Sequence, residues 1–443
     1  MTAFIYIIDQ FYPNIHIKTL YSILGGSLLV FTLFHIPKTN NLIVASLFIL
    51  GSICFYLEGI HIKTAVLGFG QNINLLSLFL FVPLIATFMA TAGYLSTLKY
   101  KVQNKQSLKD FKPYRFSFIL TSSIGFILNL GSMAIVKRIV EESSPTYQDQ
   151  KLTLTIMRGF GFCMLWSPYF VNVGLVLVVF DVSWFQIGLY GLGLSILYFF
   201  VSIIMFRSIA FDDDPVLKQT VSKSVNDVDH HSLMPFILFS ITLISLSFLL
   251  DYFLPVNMII IVSVVALILP FIWSVLARQT ASYVHDAVDQ VNNSFYKLKN
   301  ELAIFISAGY FGFAISETKI GEILSNLLFN ASFNSVLVLT VLIVVLSILL
   351  AQIGIHPVII VIGIGSALSP DKFGVSAEYL ALVLLVAWTL ATQLSPFSGQ
   401  VLMASNLTKQ PTVKIVRQNA PFVLVLAIVL TTAVYCLYLF KFI

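Results

Sequence analysis

The sequence predicts an all-α polytopic membrane protein built from two inverted repeats. The composition is too apolar for a soluble protein, because 58% of the 443 residues are hydrophobic and only 10% are charged. Soluble domains carry about 25% charged residues. Apolar runs recur along almost the whole chain, and a helix needs about 20 such residues to cross a membrane. No long polar stretch remains that could form a separate catalytic domain.

Ten apolar segments are predicted to cross the membrane completely, five in each half of the chain. They are 17–35, 41–60, 73–98, 153–180, 184–206, 233–252, 256–276, 301–318, 378–407 and 419–441. Strand-length alternation is absent, so helices are favoured over a barrel.

Two further apolar regions are predicted to be re-entrant hairpins. Region 114–137 is interrupted by the run Asn-Leu-Gly-Ser at 129–132. Region 333–369 is too long for one crossing and is cut by Gly-Ile-His-Pro at 354–357. The two regions align at an offset of about 223 residues, which favours an internal duplication.

Two of the predicted crossings, 153–180 and 378–407, are predicted to be broken helices. The first reads LWSPY at 165–169 and the second QLSPF at 393–397. An amide side chain follows each break, Asn172 in one segment and Gln400 in the other. A broken backbone at membrane depth is tolerated only where it is buried in protein or lines a cavity. Paired breaks of this kind indicate the binding site of a transporter.

The predicted organisation is a first repeat at 1–206, a cytoplasmic linker at 207–232 and a second repeat at 233–443. Five crossings in each half make the halves inverted relative to each other. Of the 25 Lys and Arg residues, 19 then fall in cytoplasmic segments, 5 fall outside and Arg158 lies in the membrane. This asymmetry agrees with the positive-inside rule and puts both termini outside. The expected location is the bacterial inner membrane.

The layout resembles the ion transporter superfamily of secondary carriers, which includes the divalent anion/sodium symporters. The run Glu-Leu-Ala-Ile-Phe at 301–305, continuing to Gly-Glu-Ile-Leu at 321–324, is similar to the helix that leads into the second hairpin there. The Ser-Asn-Thr motif of those symporters is absent, and the runs 129–132 and 352–357 take its place. The resemblance implies secondary transport by two inverted repeats, each with a hairpin and a broken helix. Carriers with this layout are often dimers, so a homodimer is an expectation.

The four breaks supply the candidate substrate-binding residues. A half-helix N-terminus offers free N–H groups and a partial positive charge, which suit an oxyanion. A half-helix C-terminus offers carbonyls, which suit Na⁺. The alternative is that the breaks only kink packed helices. The candidates are Asn129, Ser132, Arg158, Ser167, Asn172, Gln352, His356, Ser395, Ser398 and Gln400.

Two of these candidates carry a titratable or charged group. An intramembrane Arg is costly and is a functional hypothesis by default, so Arg158 is predicted to recognise an anion. The alternative is that Arg158 extends to the cytoplasmic face. His356 is interpreted either as a neutral core residue or as a substrate or proton-coupling group.

The function predicted from the sequence is secondary active transport of a small solute, most simply an organic or inorganic anion. Na⁺ or H⁺ would drive it by alternating access. The alternatives are a channel, a membrane subunit of a larger complex and, less favoured, an intramembrane enzyme, because no HExxH, GxGD or GxSxG motif is present. No catalytic residue, metal site or cofactor is predicted, apart from Na⁺ as a coupling ion. The expected partners are the solute and the lipid bilayer, and nucleic acid is not expected.

Overall fold

The computed structural model describes residues 1–105, 112–144, 146–218 and 232–443. Within these residues the backbone is almost entirely helical, which confirms the predicted all-α polytopic fold. Half of the predicted linker 207–232 lies outside the described residues, since 219–231 are not among them.

The first half contains eleven described α-helices. They are α1 Thr2–Phe11, α2 Ile15–Leu33, α3 Lys38–Leu57, α4 Ile62–Leu67, α5 Ile73–Thr91, α6 Tyr94–Lys105, α7 Pro113–Leu128, α8 Gly131–Ser143, α9 Asp149–Cys163, α10 Val171–Val179 and α11 Trp184–Ile204. Short 3₁₀ helices follow α4 at Gly68–Gly70 and α11 at Met205–Ser208.

The described part of the second half also contains eleven α-helices. They are α12 Met234–Phe253, α13 Met258–Leu276, α14 Thr280–Asn292, α15 Ser294–Ser316, α16 Lys319–Ala331, α17 Val336–Gln352, α18 Pro357–Ala367, α19 Pro370–Phe373, α20 Ala377–Leu394, α21 Gly399–Thr408 and α22 Thr412–Leu439.

The sequence did not predict two short strands, β1 Thr146–Gln148 and β2 Val216–Lys218. They pair antiparallel, with Tyr147 opposite Leu217. The pairing ties the start of the linker back to the segment before α9.

By length and composition, eight described helical stretches could cross a membrane, or nine if the bent pair α16–α17 counts as one span. The eight match eight of the ten predicted crossings. They are Ile15–Leu33, Asn40–Leu57, Ile62–Thr91, Trp184–Ser208, Met234–Phe253, Met258–Leu276, Ala377–Thr408 and Thr412–Leu439.

The other two predicted crossings differ for physical reasons. Segment 153–180 is divided into α9 and α10 by the residues 164–170, and neither piece is long enough alone. Segment 301–318 corresponds to the later part of α15, whose first turns carry Lys297, Lys299 and Glu301. These charges lower the mean hydropathy of α15.

Each predicted hairpin is a pair of helices that pack against each other. In the first, α7 contacts α8 across a turn at Asn129, whose φ is 51°. In the second, α17 contacts α18 across a turn at Gly354, whose φ is 97°. Positive φ is accessible to Gly and, more readily than to most residues, to Asn. Re-entry of the two hairpins into the membrane stays a prediction, as does the division into two repeats.

The two broken helices lie at the centre of the molecule. Every residue of α20 from Tyr379 to Leu394 is buried, and most residues of α9 are buried. A helix that is apolar all round belongs inside a protein or membrane. The outer helices instead expose aliphatic side chains, such as Ile53 of α3 and Leu249 of α12. The packing therefore encloses the chain breaks at 164–170 and 395–398.

Candidate functional site

All four chain breaks open onto one cavity of about 150 Å³. The two hairpin turns line it, and so do the two helix breaks. Phe79 of α5 and the α15 residues Glu301 and Phe305 complete the wall. The residues contributed by the breaks are Asn129, Leu130, Met164, Phe170, Val171, Asn172, His356, Pro357, Val358, Thr392, Ser398, Gly399 and Gln400.

Four helices begin at this cavity. The N-cap residues of α8, α10, α18 and α21 all line it, and they are Leu130, Phe170, His356 and Ser398. A helix N-terminus carries a partial positive charge of about half an elementary charge, together with N–H groups that have no partner in the helix. Four N-termini around one small space give it a partial positive charge without a basic side chain.

Gln400 supplies an unpaired amide to the cavity. The side chain is 3% exposed, and neither Oε1 nor Nε2 has a hydrogen-bond partner. An unsatisfied buried polar group costs about 1–3 kcal/mol. The amide of Gln400 therefore has both its donor and its acceptor free for a group that enters the cavity.

Glu301 and His356 are the titratable residues among the described residues that line the cavity. Oε2 of Glu301 is buried and has no hydrogen-bond partner. Nδ1 of His356 accepts a hydrogen bond from the backbone N–H of Val358 at 3.3 Å, so the ring caps α18. In the sequence, Glu301 is predicted only to begin a helix. The signal that could have identified it is its position as a carboxylate at the edge of an apolar span.

The structure brings half of the ten predicted site residues to the cavity. Asn129, Asn172, His356, Ser398 and Gln400 line it. The other five lie outside its lining. They are Ser132, Arg158, Ser167, Gln352 and Ser395.

The two Ser-Pro serines join the broken helices to the hairpins. Ser167 Oγ donates a hydrogen bond to the carbonyl of Phe126 at 3.1 Å. Ser395 Oγ donates to the carbonyl of Ala351 at 2.8 Å. Each acceptor lies in the last turn of the first helix of its hairpin, Phe126 in α7 and Ala351 in α17. Carbonyls in the last turn of a helix lack a partner within that helix. The serines therefore hold the breaks against the hairpin turns.

Gln352 and Ser132 also make structural hydrogen bonds. Gln352 Nε2 donates to the carbonyl of Leu394 at 2.9 Å, which adds a second link between α17 and the end of α20. Ser132 Oγ donates to the carbonyl of Asn129 at 2.7 Å and stabilises the first hairpin turn.

Within each broken helix, a side-chain hydrogen bond also bridges the break. Asn172 Nδ2 donates to the carbonyl of Met164 at 2.6 Å, and Ser398 Oγ donates to the carbonyl of Thr392 at 2.5 Å. Met164 and Thr392, which are 228 residues apart, contact each other through Sδ and Oγ1 at 3.8 Å. The end of α9 and the end of α20 therefore meet at the cavity.

Arg158 is placed away from the other candidates. Its Nε donates to Asn419 Oδ1 at 3.1 Å, and its Nη1 donates to the carbonyl of Met205 at 3.2 Å. The guanidinium carbon lies 4.0 Å from the ring centroid of Phe422. The residue lines a second cavity rather than the central one. This placement is closer to the alternative in which Arg158 extends towards the cytoplasmic face than to a role beside the other candidates.

Within the described ranges, no group of three or more His, Cys, Asp or Glu side chains could hold a metal ion. The cavity instead offers helix N-termini, neutral amides and hydroxyls, and one carboxylate.

The fold is that of an all-α polytopic membrane protein. The structure is similar to the crystal structure of the YdaH transporter of Alcanivorax borkumensis, which is described as having an unusual topology. The TM-score is 0.55 at 14% sequence identity, and the match covers 82% of this chain and 85% of that one. This likeness concerns the fold and does not select the divalent anion/sodium symporters. No protein-family profile matches the sequence, and no curated protein matches it.

Proposed function

We propose that the chain is a secondary active transporter of a small organic or inorganic anion. The observation that carries the proposal is the convergence of four helix N-termini on one cavity that also holds the unpaired amide of Gln400. Anions are favoured at helix N-termini by the dipole and by free N–H groups. The fold shared with the YdaH transporter supports transport over enzyme activity.

The proposed architecture is a pair of inverted repeats in the bacterial inner membrane, related to the ion transporter superfamily. The hydrogen bonds of Ser167 to Phe126 and of Ser395 to Ala351 support the duplication, because both the donors and the acceptors are related by offsets of 225–228 residues. Alternating access would move the two hairpins and their attached breaks relative to the outer helices. A homodimer stays a prediction.

For the coupling ion, we favour H⁺ over Na⁺. Glu301 is the one carboxylate among the described residues that line the cavity, and its Oε2 lacks a partner. An ionised Glu301 would repel an anion, whereas a protonated Glu301 would donate a hydrogen bond to it. Proton and anion would therefore bind together, which is the requirement for symport.

The test begins with a thermal-shift screen of the purified protein against small carboxylates and inorganic oxyanions. Each anion is measured at pH 6 and pH 8, with and without Na⁺. The anion that gives the largest shift is then radiolabelled for uptake into proteoliposomes. We expect accumulation above the external concentration, and loss of accumulation when the ion gradient is removed by an ionophore. Downhill flux alone, insensitive to the gradient, would favour a channel and overturn the proposal.

A further inference from the structure

A second cavity lies beside the ends of α7, α9 and α11 that are predicted to be cytoplasmic. Its volume is about 430 Å³, and its walls are mainly aromatic and aliphatic. Tyr114 of α7 packs on Phe206, with ring centroids 5.5 Å apart. Phe118 of α7 packs on Phe199, with centroids 5.7 Å apart. Such walls suit a hydrocarbon chain.

The cavity lies next to the outer surface of the helices. Ile119 of α7 and Ile203 of α11 line it and are 54% and 53% exposed. Both helices are predicted to be embedded in the membrane, so their exposed aliphatic side chains are expected to face the lipid. A lipid chain could therefore enter sideways between α7 and α11.

Arg158, which lines this cavity, has no counter-anion. The residue is 1% exposed, and Nη2 has no hydrogen-bond partner. Its two protein acceptors, Asn419 and the carbonyl of Met205, are neutral. A buried cation without a paired anion is strongly unfavourable, and the contact with the Phe422 ring offsets this only in part. The site is therefore incomplete without an anion.

One further cation lines the same cavity, and another contacts a residue of its wall. Arg115, in the first turn of α7, lines it and is exposed. Lys151 Nζ lies 4.7 Å from the ring centroid of Phe206. None of Arg115, Lys151 and Arg158 forms an ion pair with a carboxylate in the described part of the chain. Arg158 points back along α9 to the level of Met205, just past the end of α11. The guanidinium is thus near the predicted membrane surface.

We infer that this cavity binds an anionic phospholipid of the cytoplasmic leaflet. The phosphate lies between Arg115 and Arg158, and one acyl chain lies between the aromatic walls. Arg binds phosphate through paired N–H donors, which would satisfy the free Nη2. The apolar walls and the lateral opening favour a lipid over a free anion. This site is separate from the central cavity and does not depend on the transported solute.

The test measures lipid binding by the delipidated, purified full-length protein in neutral detergent, using native mass spectrometry. Phosphatidylglycerol is titrated against phosphatidylcholine of the same acyl chains. We expect preferential binding of phosphatidylglycerol, weakened about tenfold (about 1.4 kcal/mol) by Arg115→Gln and by Arg158→Gln. Arg278→Gln, which changes an exposed arginine outside the cavity lining, is the matched control and should not alter binding.

Several outcomes would overturn the inference. One is equal binding of the two lipids, and another is unchanged binding in Arg115→Gln. Because Arg115 is exposed, this variant decides the question even if Arg158→Gln destabilises the fold. Displacement of phosphatidylglycerol by inorganic phosphate would assign the site to a soluble anion. Ile203→Trp leaves the charges intact and narrows the lateral opening, so we expect it to weaken phosphatidylglycerol binding; full binding would contradict entry of an acyl chain.

Discussion

At the scale of single residues, the cavity depends on a few polar groups with unequal roles. Gln400 presents both amide atoms without a partner, whereas Asn172 already uses Nδ2 to hold Met164. Asn172 and Gln400 have the same position in their respective breaks, but they differ in which amide atoms remain free to bind a solute. Gln400 is the stronger candidate for direct recognition.

Replacing Gln400 by Ala removes the unpaired amide from the cavity. A hydrogen bond to a charged group contributes about 1.5–3 kcal/mol. We therefore expect the affinity for the transported anion to fall at least tenfold, with folding unchanged or slightly improved because no unsatisfied amide remains. The measurement is anion affinity by thermal shift and KM for uptake. Asn406→Ala, an exposed amide on the same helix, is the control. Equal affinity in Gln400→Ala and wild type would remove Gln400 from the site.

Glu301→Gln tests proton coupling. In the wild type, we expect anion binding to strengthen as the pH falls, because protonation of Glu301 removes the repulsion. Gln resembles the protonated acid, so the variant should bind the anion at high pH as tightly as at low pH. It should also lose proton-driven accumulation while retaining anion exchange. The measurements are anion affinity at several pH values and uptake with an imposed pH gradient.

Glu322→Gln, an exposed carboxylate on α16, is the matched control for Glu301→Gln and should keep the wild-type pH dependence. Persistence of that dependence in Glu301→Gln would assign the coupling proton elsewhere. His356 is the other titratable group in the described lining of the cavity, so His356→Gln would then be the next variant.

At the scale of elements, close helix contacts hold the breaks in place. α11 passes directly over the first break, and a Cβ on Gly191 would lie 2.2 Å from the carbonyl oxygen of Leu165. Arg158 contributes in another way: its Nε binds Asn419, whose Nδ2 donates to Gln393 Oε1 at 3.4 Å. Tyr198 OH donates to the same oxygen at 3.0 Å. These buried contacts connect α9, α11, α20 and α22.

Gly191→Ala is expected to destabilise the fold by about 1–3 kcal/mol, the usual cost of overpacking a rigid core. The obstructing atom is backbone, so α11 or the break must move. Gly193→Ala on the same helix meets no atom within 4 Å and is the control. The measurement is Tm in detergent, and we expect a lower Tm for Gly191→Ala alone. The same Tm for both variants would show that α11 does not pack this closely on the break.

At the scale of the whole molecule, the relative orientation of the two halves decides on which side of the membrane each loop lies. Cysteine labelling with a membrane-impermeant maleimide tests this in a Cys436→Ser background, since Cys54 and Cys163 are buried. We expect Lys63→Cys and Asp371→Cys to react from outside. Lys101→Cys and Arg278→Cys should react only after the membrane is opened. All four positions are exposed.

The labelling of Asp371→Cys is the decisive result. This position follows the second hairpin, so it faces outside only if α17 and α18 enter and leave on the same side. Protection of Asp371→Cys from external reagent, with normal labelling of Lys63→Cys, would contradict the inverted arrangement. It would show that region 333–369 crosses the membrane once.

The sequence by itself determined the membrane class, eight of the crossings and the positions of the four breaks. Those features depend on local composition: apolar runs of sufficient length, and Gly, Pro and Asn where the backbone leaves the helix. The same local signals located five residues of the cavity lining, but being next to a break did not by itself decide which way a side chain points.

Tertiary packing alone decided which polar groups share the cavity. Glu301 joins it because α15 packs beside α5 and α18. Arg158 is kept out because its side chain runs back to Met205 and Asn419, on elements distant in sequence. The serines 167 and 395 face hairpin carbonyls instead of solute. Contacts between residues hundreds of positions apart leave no local pattern, so the pairing of hydrogen-bond donors and acceptors appears only when the helices are assembled.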